Sequence, residues 1–123
     1  MDGLTITPLE QSAFGIEPTL REGELVLAFR GTGDLEAVES LGDYLESAFS
    51  DVQRLQLASI RFDFRALEFM NSSCFKAFVT FIERSKQSEK LAIVFVTDPN
   101  HYWQRRSLEA LRRLAMGRVS IEA

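Results

Sequence analysis

A chain of 123 residues, 46% hydrophobic and 26% charged, has the composition of one soluble globular domain, long enough for a two-layer core and too short for two such domains. That balance excludes a disordered chain. No apolar run reaches the length of a membrane-spanning helix, and Met1 to Gln11 lacks the basic start and apolar centre of a signal peptide, which points to the cytoplasm. The single cysteine rules out an internal disulfide, and the lone histidine adds no metal-ligand cluster, so neither metal nor cofactor is expected. The net charge of −4 is unevenly divided: residues 1–60 carry eleven acids against three bases, the remainder seven against eleven. Such asymmetry can orient a docking protein. The acidic total and the lack of aromatics interleaved with the bases argue against nucleic acid, and no membrane association is expected.

In chain order, Leu4 to Leu9, "LTITPL", is a weak strand candidate. Glu24 to Arg30, "ELVLAFR", lies between Gly23 and "GTGD" and reads as a mostly buried strand. Asp34 can then accept from a free amide of a first helical turn. Leu35, Val38, Leu41, Leu45 and Ala48 recur at helical spacing behind it, with the acids facing outward. Ser59 to Phe64, "SIRFDF", alternates strictly, placing Ile60, Phe62 and Phe64 on one face and Ser59, Arg61 and Asp63 on the other. A second helix fits Ser73 to about Lys86, with an apolar stripe of Phe75, Phe78, Val79 and Ile82 broadened by Phe81, and with Ser72 and Ser73 as capping candidates.

Leu91 to Val96, "LAIVFV", has the character of a central strand ended by "TDPN". A third helix is predicted from about His101 to Ala115, with Leu108, Leu111 and Ala115 on one stripe and most of its arginines elsewhere. Gly117 closes it, and "RVSI" returns as a short edge strand. The resulting order, β-β-α-β-α-β-α-β, predicts an α/β single domain over residues 1–123, a mixed sheet of about four to five strands with helices mainly on one face.

The stretch "FMNSSCFKAF", Phe69 to Phe78, concentrates the polar chemistry: Asn71, two hydroxyls and the one thiol stand together where a strand gives way to a helix. A helix cap, a regulatory switch and a catalytic cluster all fit those residue types. Catalysis has the least behind it, because a nucleophilic Cys74 needs an aligned base, and pairing it with His101 has no motif support. A thiol at a helix start could also have its pKa lowered by the dipole, which leaves redox sensing open. Asn71-Ser72-Ser73 matches a glycosylation sequon, which has no meaning without a secretory signal. Trp103 reads as packing of the core or of a helix end, with a binding anchor as the alternative.

Three features together resemble the STAS family of bacterial anti-sigma-factor antagonists and related regulatory modules: "FRGTGDL" leading into a helix, the junction "FDFRALEFMNSSCF", and the later strand with its C-terminal helix. The resemblance covers nearly the whole chain. In that family the serine directly after an Asp, in an Asp-Ser-Ser/Thr-Gly-like motif, is the phosphoacceptor, and the position matching it is Ser72. A subgroup with Asn before the acceptor hydroxyl and an aromatic-Gln-Arg patch is similar to Asn71-Ser72 and Trp103-Gln104-Arg105. Two departures stand out: Asn71 replaces the usual Asp, and Cys74 a common Gly.

The resemblance implies a non-enzymatic signalling module that binds a partner reversibly under control of Ser72 phosphorylation. Its partner-binding residues would be Gly31, Asp34, Asn71, Ser72, Ser73, Cys74 and Lys76, joined by part of the acidic helix after Asp34. Implied partners are a serine kinase of the histidine-kinase-like ATPase type, which can itself be an anti-sigma factor, and a metal-dependent serine phosphatase. The chain itself would be a monomer or weak dimer. A cyclic-dinucleotide synthase is an alternative target, a small-molecule or nucleotide sensor an alternative function, and a small thiol enzyme using Cys74 a third.

Overall fold

A computed structural model describes residues 3–88, 90–115 and 117–123, with the side chain of Leu35 outside the description. Nine elements follow in order: β1 (Leu9–Glu10), β2 (Phe14–Arg21), β3 (Glu24–Gly33), α1 (Leu35–Arg54), β4 (Ser59–Met70), α2 (Ser72–Ser85), β5 (Ala92–Val96), α3 (Tyr102–Leu114) and β6 (Val119–Glu122). The strands form one mixed sheet in sequence order, antiparallel from β1 to β3 and parallel from β3 to β6. Each parallel step is bridged by a helix, and right-handed crossovers that all advance in one direction put α1, α2 and α3 side by side on one face.

The alternation read in "SIRFDF" holds the sheet to that layer. Leu27 pairs with Phe62 and Phe62 with Phe95, one register line of buried residues under the helices. Phe62 is the centre of an aromatic cluster, with ring centroids 6.0 Å from Phe29, 5.7 Å from Phe78, 5.2 Å from Phe81 and 5.7 Å from Phe95. Tilted and offset rings at these separations attract beyond their buried area. On the opposite, open face Arg61 bridges Glu24 at 3.3 Å and Glu122 at 2.7 Å, so that an ionic row covers the alternate residues of the same strands.

Six strands replace the four to five expected. The unread strand is β2, whose Pro18 argues against a strand in isolation. Here β1 pairs only with Gly15 and Ile16, so beyond them β2 is an edge and Pro18 sits opposite Leu27 of β3 with no strand neighbour on its other side among the described residues. "LTITPL" is not a strand except for Leu9. Its backbone is satisfied by side chains of α1 instead of a ladder: Thr5 N and Ile6 N donate to Asp51 at 2.8 and 3.2 Å, and the Tyr44 hydroxyl donates to Thr7 O at 2.7 Å. β4 also runs six residues past Phe64, through register shifts against β3 near Arg30 and Thr32 that break its alternation after Phe64.

The helices follow their stripes with one rotation. In α1, Leu41, Leu45 and Ala48 are buried, and in α3 Leu108, Leu111 and Ala115. In α2 the buried line is Cys74, Phe78, Phe81, Ile82 and Ser85, while Phe75 and Val79 are only half-buried and pack against the core's edge. No helix of the described residues is long and apolar enough to cross a membrane.

Candidate functional site

β3 and β4 end together, with Gly33 opposite Met70 in the parallel ladder, and each strand passes directly into a helix. Two junctions therefore lie next to one another. At the first, Asp34 caps α1, its carboxylate accepting from Glu36 N at 3.1 Å and Ala37 N at 3.3 Å. At the second, Asn71 caps α2 in an extended conformation, its Oδ1 accepting from Cys74 N at 2.8 Å. The two are tied by Asn71 N donating to Gly33 O at 2.8 Å and by the Cys74 thiol against Asp34 O at 3.8 Å.

The cap therefore falls on Asn71 and not on Ser72 or Ser73, the residues expected to provide it. Ser72 and Ser73 occupy the first two helical positions and are both exposed. The physical reason is the length of β4: pairing with Gly33 carries the strand to Met70, so the first non-helical residue before α2 is Asn71, whose amide side chain reaches the third amide of the turn.

Cys74 is fully buried. Burial pushes its thiol up from the ordinary cysteine value, outweighing the hydrogen bond at the Asn71 cap, so the lowering expected from a helix start does not occur. It presents no surface to a partner, contrary to its inclusion among contact residues, and His101 is placed beside Asp98 at 3.8 Å. A β-carbon on Gly33 would stand 3.2 Å from the Cys74 sulfur and 3.0 Å from Met70 Cβ, so the two junctions close on each other through a glycine.

Gly31 is required by the backbone. Its φ of +83° lies in the left-handed region, and a side chain there would collide with the carbonyl of Ala13, the group that accepts from Thr32 N at 2.6 Å. Lys76 is exposed one turn beyond Ser72 on α2. Asp34, Asn71, Ser72, Ser73 and Lys76 thus share one end of the molecule, with Gly31 half-buried just behind them.

The cleft beside Ser72 opens in a direction that sequence reasoning missed. It has a volume of about 440 Å³ and is lined by Met70, Asn71, Ser72 and Phe75 on the β4–α2 side and by Arg106, Ser107 and Ala110 of α3 on the other. The acidic helix α1 is not part of it. Phe69, which precedes Met70 on β4, is 51% accessible and does not line the cleft. α3 is seated by Gln104, a buried polar residue whose Nε2 donates to Phe64 O at 2.7 Å and Leu67 O at 3.1 Å, while its side-chain oxygen accepts from Asp98 N at 2.9 Å. Within Trp103-Gln104-Arg105, then, Gln104 is a strap on the tail of β4, and Trp103 packs against the core.

The six-strand sheet with three helices matches the STAS fold of solved anti-sigma-factor antagonists. An anti-sigma factor antagonist from Mycobacterium paratuberculosis aligns over 93% of this chain and 90% of its own with a TM-score of 0.65 and 16% identity. The antagonist SpoIIAA is similar in its unphosphorylated form, with TM-score 0.60, 19% identity and coverage of 90% and 89%. So is the phosphorylated form of the Bacillus protein, with TM-score 0.58, 16% identity and coverage of 90% and 92%. A chain from the complex of the diguanylate cyclase SiaD with its activator SiaC, from Pseudomonas aeruginosa, aligns over 100% of this chain and 97% of its own, with TM-score 0.57 and 18% identity. No family model and no curated protein matches the sequence.

Proposed function

We propose that this chain is a non-enzymatic signalling module of the cytoplasm that binds a partner protein reversibly and releases it when Ser72 is phosphorylated. The observation that carries the reading is the division of labour at the start of α2: Asn71 makes the cap, and the Ser72 hydroxyl stands exposed on the rim of an open cleft. A kinase would transfer the γ-phosphoryl group of ATP to Ser72 Oγ, the hydroxyl proton leaving and ADP departing. The product carries about −1.5 to −2 charges at pH 7, at a helix start where the dipole favours them. The helix survives the modification, and an interface that accepted a neutral hydroxyl is weakened.

The implied partners are a serine kinase of the histidine-kinase-like ATPase type and a metal-dependent serine phosphatase. The contact surface comprises Gly31, Asp34, Asn71, Ser72, Ser73 and Lys76. The likeness to anti-sigma-factor antagonists, one of them solved in both phosphorylation states, supports an anti-sigma factor as target. The likeness to a chain of the cyclase–activator complex supports a cyclic-dinucleotide synthase as the second reading.

Intact mass after incubation with ATP and each serine kinase encoded beside its gene is the test. A gain of one phosphate, lost in Ser72→Ala, together with weaker binding of the kinase or cyclase partner by the modified chain, is expected. No phosphate with any of these kinases, or modified and unmodified chains that bind alike, would sink the reading.

A further inference from the structure

The cleft beside Ser72 has a feature the switch does not yet use. Its α3 wall carries Arg106, which is exposed and in no ion pair among the described residues, whereas Arg112 on the same helix is held by Glu109. Around Arg106 the lining is otherwise apolar or neutral: Met70, Phe75 and Ala110, with the Ser107 hydroxyl adjoining. An unengaged guanidinium in such surroundings is a fork for a planar or tetrahedral oxyanion, and phosphate satisfies it with two parallel hydrogen bonds.

We propose that Arg106 is the built-in receiver of a phosphomonoester on Ser72, so that the phosphate bridges α2 and α3 across the cleft with Ser107 as an additional donor. The proposal rests on the reading of Ser72 as the modified residue. Ser72 and Arg106 line the same cleft from different helices, which places both residues on the walls that the phosphate would join. Two other charged groups bear on the same place. Lys76 lies one turn along α2 from Ser72, and Asp34 caps α1 on the side away from α3, beside Cys74. The Asp34 carboxylate repels the phosphate and favours the α3 side; Lys76 is a point charge on the same helix and cannot join two elements. Phosphorylation in this arrangement does more than add charge: it closes the groove over Met70 and Phe75 and removes an apolar surface.

The test uses the full chain with phosphoserine incorporated at position 72 during translation, titrated by phosphorus NMR at low ionic strength. Its second ionisation, near pH 6 for an unperturbed phosphoserine, is expected about one unit lower in the parent than in Arg106→Ala, with Arg106→Lys between them. The unphosphorylated Arg106→Ala chain should melt with the parent, since the residue is exposed and in no ion pair among the described residues. Amide exchange in residues 102–107 should slow on phosphorylation only when Arg106 is present. A phosphate ionisation indifferent to Arg106→Ala, or one restored to the ordinary value by Lys76→Ala instead, overturns the proposal. Because translation installs the phosphate, failure here leaves the Ser72 switch standing, and a chain that no kinase modifies leaves the receiver chemistry intact.

Discussion

Asn71 donates its backbone amide to the Gly33 carbonyl at 2.8 Å while its side chain accepts from Cys74 N at the same distance. One residue thus ends β4, ties it to β3 and opens α2. Asn71→Ala should lower stability by about 1 kcal/mol, the usual cost of a lost side-chain cap. Asn71→Asp, which keeps the acceptor, should stay within a few tenths of a kcal/mol of the parent. Urea melts of both variants measure this, and equal losses in the two would show that the cap is not the stabilising contact.

Gly31 predicts a larger effect. Gly31→Ala forces a β-carbon into both a positive φ and the Ala13 carbonyl, and a cost of about 2 kcal/mol or more is expected from strain plus displaced backbone. Gly23 supplies the contrast: its φ is +70° but nothing lies within 4 Å of an added carbon, so Gly23→Ala should cost only the conformational strain, about 1 kcal/mol. A Gly31→Ala chain as stable as the parent would contradict the described backbone.

Asp51 gives a pH signature. It is buried in α1, and although desolvation pushes its carboxyl up, hydrogen bonds from the Thr5 hydroxyl, Arg54 and the amides of Thr5 and Ile6 bring it on balance below the ordinary value. A depressed folded pKa stabilises above the unfolded value of about 3.9 and loses that contribution as pH falls through the folded one. Asp51→Asn should therefore cost about 2 kcal/mol near neutrality, as lost charge-assisted hydrogen bonds do. The gap between parent and variant should then narrow below about pH 4. A gap that stays constant down to pH 2 would disprove the assignment.

Cys74 should be silent in the native protein. Its thiol is buried and raised in pKa, so labelling by a disulfide reagent at pH 8 is expected on the order of 100-fold slower than for a free thiol, limited by opening of the structure. Denaturant should restore full reactivity. Rapid stoichiometric labelling of the folded chain would revive a redox or nucleophilic role.

Much of the fold was legible because its signals are local. Strict alternation from Ser59 to Phe64 prescribed which residues enter the core, and each does. Asp34 before a periodic stripe prescribed a capped helix, and its carboxylate makes that cap. "FGIEPTLR" was not legible, because Pro18 is compatible with a strand only where β1 has already ended, a fact about the neighbour and not about the stretch. Arg106 was hidden for the same reason: nothing in "WQRRSL" states which helix face meets α2.

By itself, then, the sequence determined the α/β alternation, the core faces of the central strands and the polar cluster at Asn71 to Cys74, since these follow from side-chain period and cap chemistry within a few residues. The tertiary structure decided which member of that cluster does what. Pairing of Gly33 with Met70 assigns the cap to Asn71, packing against the closed junction assigns Cys74 to the core, and the seating of α3 by Gln104 brings Arg106 to the cleft beside Ser72. Each of these depends on hydrogen bonds or packing between residues distant in the chain, which no local pattern encodes.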